Sequence, residues 1–285
     1  MGIVLGIDVG GSTTKIVGLK DEKQRQYSCF GMLQVRAADQ VTSMYGAIGN
    51  LLSKQSLDLG DVEKIYLTGV GASFIDEQVY GIETHKVNEF DAIGYGALSL
   101  TKLKEALVVS MGTGTAFVRA TENEVKHLGG SGVGGGTITG LASQFLGKSG
   151  VEAILALAKE GDLKNIDLSV SDILGAEVQS LPFDLTAANF GKIKSTASDS
   201  DIALGIINMV FETAGMLAVF ALKNDTVKDV VLTGSLAVFP QAEFVLSKFR
   251  DITGLNFIIP QDAVFATALG ATHSSLSNPN KILNQ

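Results

Sequence analysis

The chain has 285 residues, 46% hydrophobic and 18% charged, and carries a net charge of −8 from 22 Lys+Arg against 30 Asp+Glu. This balance excludes intrinsic disorder and allows one large domain or two lobes. With no Lys/Arg-rich run, nucleic acid and anionic membrane are poor partners. The single cysteine, Cys29, excludes an internal disulfide and a cysteine-built zinc or iron–sulfur site within one chain.

Residues 3–8 (IVLGID) read as a strand rather than the apolar core of a signal peptide, so a cytoplasmic location is expected. A Gly/Ser/Thr turn follows, then strands at 14–19 and 27–35. Val41, Met44, Ile48 and Leu51 or Leu52 recur at helical spacing within 38–52. A strand at 62–67 ends in Thr68-Gly69, and a helix is expected over 92–103. Strands at 106–110, 116–120 and 125–128 come next, then a glycine cluster and a helix-rich stretch from 141 to 176. Helices at 202–222, 242–249 and 266–275 flank strands at 227–232 and 255–259. The segment 202–222 is long enough to span a membrane. However, it carries Glu212 near its middle, at a cost of about 2.5–3.5 kcal/mol in a bilayer. It reads as a helix buried in the fold or at a subunit contact.

The chain repeats its own grammar. DVGGST (8–13) has a counterpart in SMGTGT (110–115), and IYLTG (65–69) in VVLTG (230–234). Two similar α/β lobes, 1–100 and 101–285, would bring both hairpin turns to one cleft, where ligands of α/β folds gather.

In DVGGSTTK (8–15), a bare turn exposes successive N–H groups as an anion nest, Ser12, Thr13 and Thr14 add hydroxyls, and Lys15 adds a charge. Asp8 at the strand end can hold Mg²⁺ directly or through water. An ordinary glycine-rich hairpin is the alternative. The spacing is neither a Walker P-loop nor a GxGxxG turn. In MGTGT (111–115), Thr113 or Thr115 is a candidate donor to a phosphate; a plain type I′ hairpin is the alternative. Six of the eight residues from 129 to 136 are glycine, at an entropic cost that makes sense if backbone must approach something closely. Leading into a helix, they would present N–H groups to an anion; a flexible linker is the alternative. Glu89 in NEFDA (88–92) can take a proton from an acceptor hydroxyl, or simply lie near a helix start. DLTAANFG (184–191) reads as a capped loop before a helix. His85, His127 and His273 lack metal-ligand spacing.

Taken in order, GIDVGGSTTK, NEFDA, MGTGT, GGSGVGGGTITGL, GDLKNIDLSVSDI, DLTAANFG, LTGSL and FATALGA make the whole chain resemble the type II pantothenate kinases. That family lies in the acetate/sugar kinase, heat-shock protein and actin superfamily. The resemblance implies two ribonuclease H-like lobes with an ATP cleft between them, phosphorylation of pantothenate by Mg-ATP as the first committed step towards coenzyme A, and a homodimer joined through the long C-terminal helices. It implies Glu89 as catalytic residue. Nucleotide contacts would come from Asp8, Gly10, Gly11, Ser12, Thr13, Thr14, Lys15, Thr113, Gly135, Gly136, Thr137, Ile138, Thr139 and Ser235. Acceptor contacts would come from Glu89, Thr113 and His127, with Asp8 on Mg²⁺. The chain departs from the family pattern at three places. His127 stands where the family has an Arg, Ala116 stands where its turn ends in Ser, and Val151 aligns loosely with a Tyr. Arg and His are not equivalent toward a carboxylate, so the donor half of the pattern fits more closely than the acceptor half. Two further readings are a kinase for another hydroxylated acceptor and a nucleotide-gated activator ATPase. Activators of that kind use paired cysteines for an iron–sulfur cluster. A nucleotide-binding scaffold without catalysis would require Glu89 far from the phosphate turns.

Overall fold

The computed structural model describes residues 2–23, 26–75, 78–174 and 185–273. Asp184 and the expected helix ends at 175–176 and 274–275 lie outside the described residues. The first half comprises β1 (Ile3–Val9), β2 (Thr13–Lys23), β3 (Gln26–Arg36), α1 (Gln40–Lys54), β4 (Val62–Thr68), β5 (Glu83–Lys86) and α2 (Glu89–Thr101). The second begins with β6 (Glu105–Met111), β7 (Thr115–Thr121), β8 (Val125–Ser131), α3 (Gly135–Leu146) and α4 (Val151–Ala158). It continues with β9 (Leu168–Ser169), α5 (Val170–Leu174), β10 (Thr186–Ala188) and α6 (Asp199–Ala221), then β11 (Asp229–Thr233), α7 (Pro240–Thr253), β12 (Asn256–Ile258) and α8 (Ala266–His273).

The internal repeat is structural. One sheet runs β3-β2-β1-β4-β5 and the other β8-β7-β6-β11-β12. Each has two antiparallel pairings from its opening meander and two parallel ones beyond. Strand alternation sorts each sheet into two faces. On the first sheet, Ile3, Leu5, Ile7, Val9, Ile16, Ile65 and Leu67 pack on α1, whose Met44, Ile48 and Leu51 supply the matching stripe. Asp39 caps that helix, accepting from Thr42 N at 2.7 Å. The opposite face carries Val4, Val17, Leu19 and Tyr66 against α2 and α8. On the second sheet, Val108, Val118 and Val231 pack on the other side of α2. Leu107, Val109, Met111, Val230 and Leu232 face the helices of the second half. The pair α2–α8 therefore lies between the sheets, and α8, last in sequence, packs on the first one.

α6 is apolar and long enough to cross a membrane, but 56% of its most apolar window is buried in the protein. Ala203, Ile206, Ile207, Val210 and Phe211 join the second core. Glu212 is held by Thr186 Oγ1 and Asn189 Nδ2, both at 2.7 Å. The DLTAANFG stretch, expected as a loop, contains the short strand β10 paired with β9. The strand β5 escapes sequence reading because Glu83-Thr84-His85-Lys86 is a polar edge.

Candidate active site

The two hairpin turns meet: Ser12 Oγ lies 3.3 Å from Thr113 Oγ1, across 101 residues of sequence. Behind each turn, the strand running parallel to its first strand ends in Leu-Thr-Gly. Gly69 and Gly234 both adopt φ +87°, the left-handed region that favours glycine. A Cβ on Gly69 would lie 2.7 Å from Val9 O, and one on Gly234 2.6 Å from the equivalent Met111 O. These glycines let the strand after each half's helix turn away directly beneath its hairpin.

Register places Asp8 opposite Lys15 on β2 and Thr68 on β4, all on the face turned toward α2. Lys15 Nζ donates to Asp8 Oδ2 at 3.0 Å, with both side chains 9% exposed. The corresponding positions in the second sheet are Ser110, Ala116 and Thr233. The two halves thus share a scaffold, and only the first carries charge there.

Glu89 opens α2 directly after its cap, Asn88, whose Oδ1 accepts from Phe90 N and Asp91 N. The helix starts three residues before the sequence suggested, because Asn88 is the cap and both Glu89 and Asp91 complement the helix dipole. Partial burial, and next the Asp8 charge, push the Glu89 carboxyl above its ordinary value, while Lys15 pulls it down. Both charges lie on the sheet face turned toward α2, the helix that Glu89 opens. Phe90 stacks on His127 of β8, ring centroids 3.7 Å apart, so His127 stands one residue from Glu89 at the lobe boundary.

The glycine cluster works differently from the sequence expectation. Gly135 N donates to Gly112 O at 2.8 Å and Gly136 N to Thr113 O at 2.9 Å. A Cβ on Gly134 or Gly135 would lie 2.7 or 2.9 Å from carbonyls of that turn. These glycines clamp the start of α3 onto the second hairpin, and those two N–H groups are already used. Thr137 Oγ1 donates to Gly132 O, and Thr139 Oγ1 to Gly135 O. Leu236 N donates to Met111 O at 3.0 Å, which sets Ser235 beside the same hairpin.

Two expected nucleotide contacts are corrected. Thr14 is fully buried on the α1 face, on the opposite side of β2 from Lys15, because strand side chains alternate. Ile138 packs in the second core, and its N–H donates to Gly134 O at 3.1 Å. In the first turn, Gly10 N donates to Thr13 O. Among the described residues, the N–H groups of Gly11 and Ser12 donate to no protein acceptor, which leaves them for an anion.

Sequence reasoning missed Thr68, whose Oγ1 is buried beside Asp8 without a partner; its signal was the repeated LTG. Among the described residues no three His/Cys/Asp/Glu side chains cluster as a metal centre. A magnesium ion usually keeps several waters and uses one or two carboxylates plus phosphate oxygens. Asp8 beside an orphaned hydroxyl fits that need.

Residues 101–239 match the family described as Fumble. The chain is 26% identical over 278 residues to a type II pantothenate kinase of Bacillus cereus (strain G9842), covering 94% of this chain and 96% of the relative. It is 29% identical over 281 residues to one of Staphylococcus saprophyticus, covering 94% and 99%. Among solved structures, component A of the Acidaminococcus fermentans (R)-2-hydroxyglutaryl-CoA dehydratase superposes with TM-score 0.67 at 19% identity, covering 98% of this chain and 99% of the other. The activator of the Clostridium difficile 2-hydroxyisocaproyl-CoA dehydratase, with bound ADPNP, does so with TM-score 0.67 at 15% identity, covering 98% and 96%. The chain therefore has the two-lobed α/β fold of these two proteins, and along nearly its whole length its sequence is similar to type II pantothenate kinases.

Proposed function

We propose that this protein is an ATP-dependent kinase that phosphorylates the terminal hydroxyl of pantothenate. What supports the reading is the meeting of the two hairpin turns at Ser12 and Thr113 and the Asp8–Lys15 pair on the sheet face turned toward the helix that Glu89 opens, in a chain similar to named pantothenate kinases over 94% of its length. In this reading, Ser12, Thr13 and Thr113 and the free amides of the first turn bind the phosphates. Gly10, Gly11, Gly135, Gly136, Thr137 and Thr139 shape the cradle, and Ser235 lies toward the nucleoside. Lys15 holds Asp8 in place and adds positive charge. Magnesium, held by Asp8, neutralises charge on the phosphates. Glu89 orients the acceptor hydroxyl and takes its proton, an arrangement in which positioning and fixed charge account for most of the rate. His127 and Thr113 border the acceptor. By the same reading the protein is cytoplasmic and dimeric; Met216 and Phe220, 41% and 63% exposed on α6, suit a second copy.

The test is release of ADP from Mg-ATP with a panel of acceptors. Turnover with pantothenate supports the reading. Turnover only with another hydroxylated compound moves the chain to a different acceptor. ATP hydrolysis without any acceptor favours the activator-type alternative suggested by the fold neighbours, against which the lone Cys29 speaks.

A further inference from the structure

Two hydroxyls at matching places in the repeat are orphaned. Thr68 Oγ1 at the end of β4 and Thr233 Oγ1 at the end of β11 have no hydrogen-bond partner, and the residues are 1% and 0% exposed. A buried polar group left unpaired is costly, and such groups in native proteins often await a water or an ion. Each precedes a glycine at φ +87°, and each lies on the face turned toward α2. Their neighbours differ: Thr233 pairs in register with Ser110, whereas Thr68 pairs with Asp8. One oxygen of that carboxylate, Oδ2, is occupied by Lys15. The other, Oδ1, turns toward Gly69, where a Cβ would lie 2.5 Å from it.

We propose that Thr68 is a positioning residue for the divalent cation held by Asp8, its hydroxyl pairing with the Asp8 carboxylate or a cation-bound water once nucleotide and cation enter the cleft. This rests on the nucleotide reading above. It requires the hydroxyl to be unneeded by the empty protein and needed by the loaded one.

Wild type, Thr68→Val and Thr68→Ser are compared in two ways: melting without ligand, and calorimetric titration with ADP across a magnesium series, acceptor absent. The expected result is a valine variant that melts at or above wild type but needs about tenfold more magnesium for half-maximal ADP binding, with serine restoring wild-type behaviour. A valine variant that melts lower, or that keeps the wild-type magnesium dependence, overturns the proposal. So does a serine variant that behaves like valine. Wild-type protein without magnesium-dependent ADP binding overturns the nucleotide reading itself, and this inference with it.

Discussion

Gly96 of α2 and Gly270 of α8 face one another through the same contact made twice. A Cβ on Gly96 would collide with Ala266 O, and one on Gly270 with Ala92 O. Each glycine lies four residues after the alanine whose carbonyl its counterpart approaches, so the two helices cross with backbones touching. The contact lies between the two sheets and sets how closely α2, the helix that Glu89 opens, lies against α8.

Gly96→Ala and Gly270→Ala should each destabilise the protein by about 3 kcal/mol, the upper part of the usual overpacking range. The double variant should lose less than the sum, because helices parted by one methyl accommodate the second. Denaturant unfolding of the three variants checks this; strict additivity would mean that the two contacts are independent.

Glu89→Gln should retain nucleotide binding and lose about 10²-fold or more in turnover, the scale for a positioned general base. Its raised carboxyl pKa also has a sign. Because the folded value lies above the unfolded one, the folded state binds the proton more readily, and stability falls as pH rises through that window. Glutamine should therefore raise the melting temperature at neutral pH and lose that advantage below the ordinary glutamate value of about 4.3. In the wild type, the acid limb of the kcat/KM profile should lie above that value. A glutamine variant that melts below wild type at neutral pH would contradict the burial argument.

Asp8→Asn should cost about 3 kcal/mol, because it strands the Lys15 ammonium at a nearly closed site. Adding Lys15→Met should recover part of that loss, as coupled partners do. Chemical denaturation of the single and double variants decides it. A double variant less stable than Asp8→Asn alone would show that the two side chains are not paired in solution.

His127→Arg should lower KM for pantothenate about tenfold with kcat nearly unchanged, since a permanent guanidinium can pair with the substrate carboxylate and still stack on Phe90. Steady-state kinetics at two salt concentrations test it. An unchanged KM would remove residue 127 from the acceptor site.

Much of this was legible before any coordinates. The paired hairpins and the two Leu-Thr-Gly strand ends announce a duplicated sheet, because a left-handed turn under a hairpin demands glycine at one place in each half. Glu89 was legible as a helix-start carboxylate. What the linear pattern withheld was direction. GGSGVGGG reads as a cradle for an anion, yet Gly135 and Gly136 spend their amides on the neighbouring turn. Nothing in a glycine run tells which carbonyl it will approach. Thr14 looks like one more hydroxyl in a phosphate turn until alternation from Lys15 turns it to the α1 side. Thr68 shows in the linear pattern only as the middle of a repeated LTG, since its interest comes from a partner strand more than fifty residues away.

The bridge between Ser12 and Thr113 bears on traffic. A hydroxyl–hydroxyl bond at an exposed spot is worth about 1 kcal/mol or less, not far above ambient agitation. On the proposed function, the way in between the two turns is thus latched rather than locked. A charged guest can lift the latch by replacing one weak tie with several stronger ones, and its departure resets it.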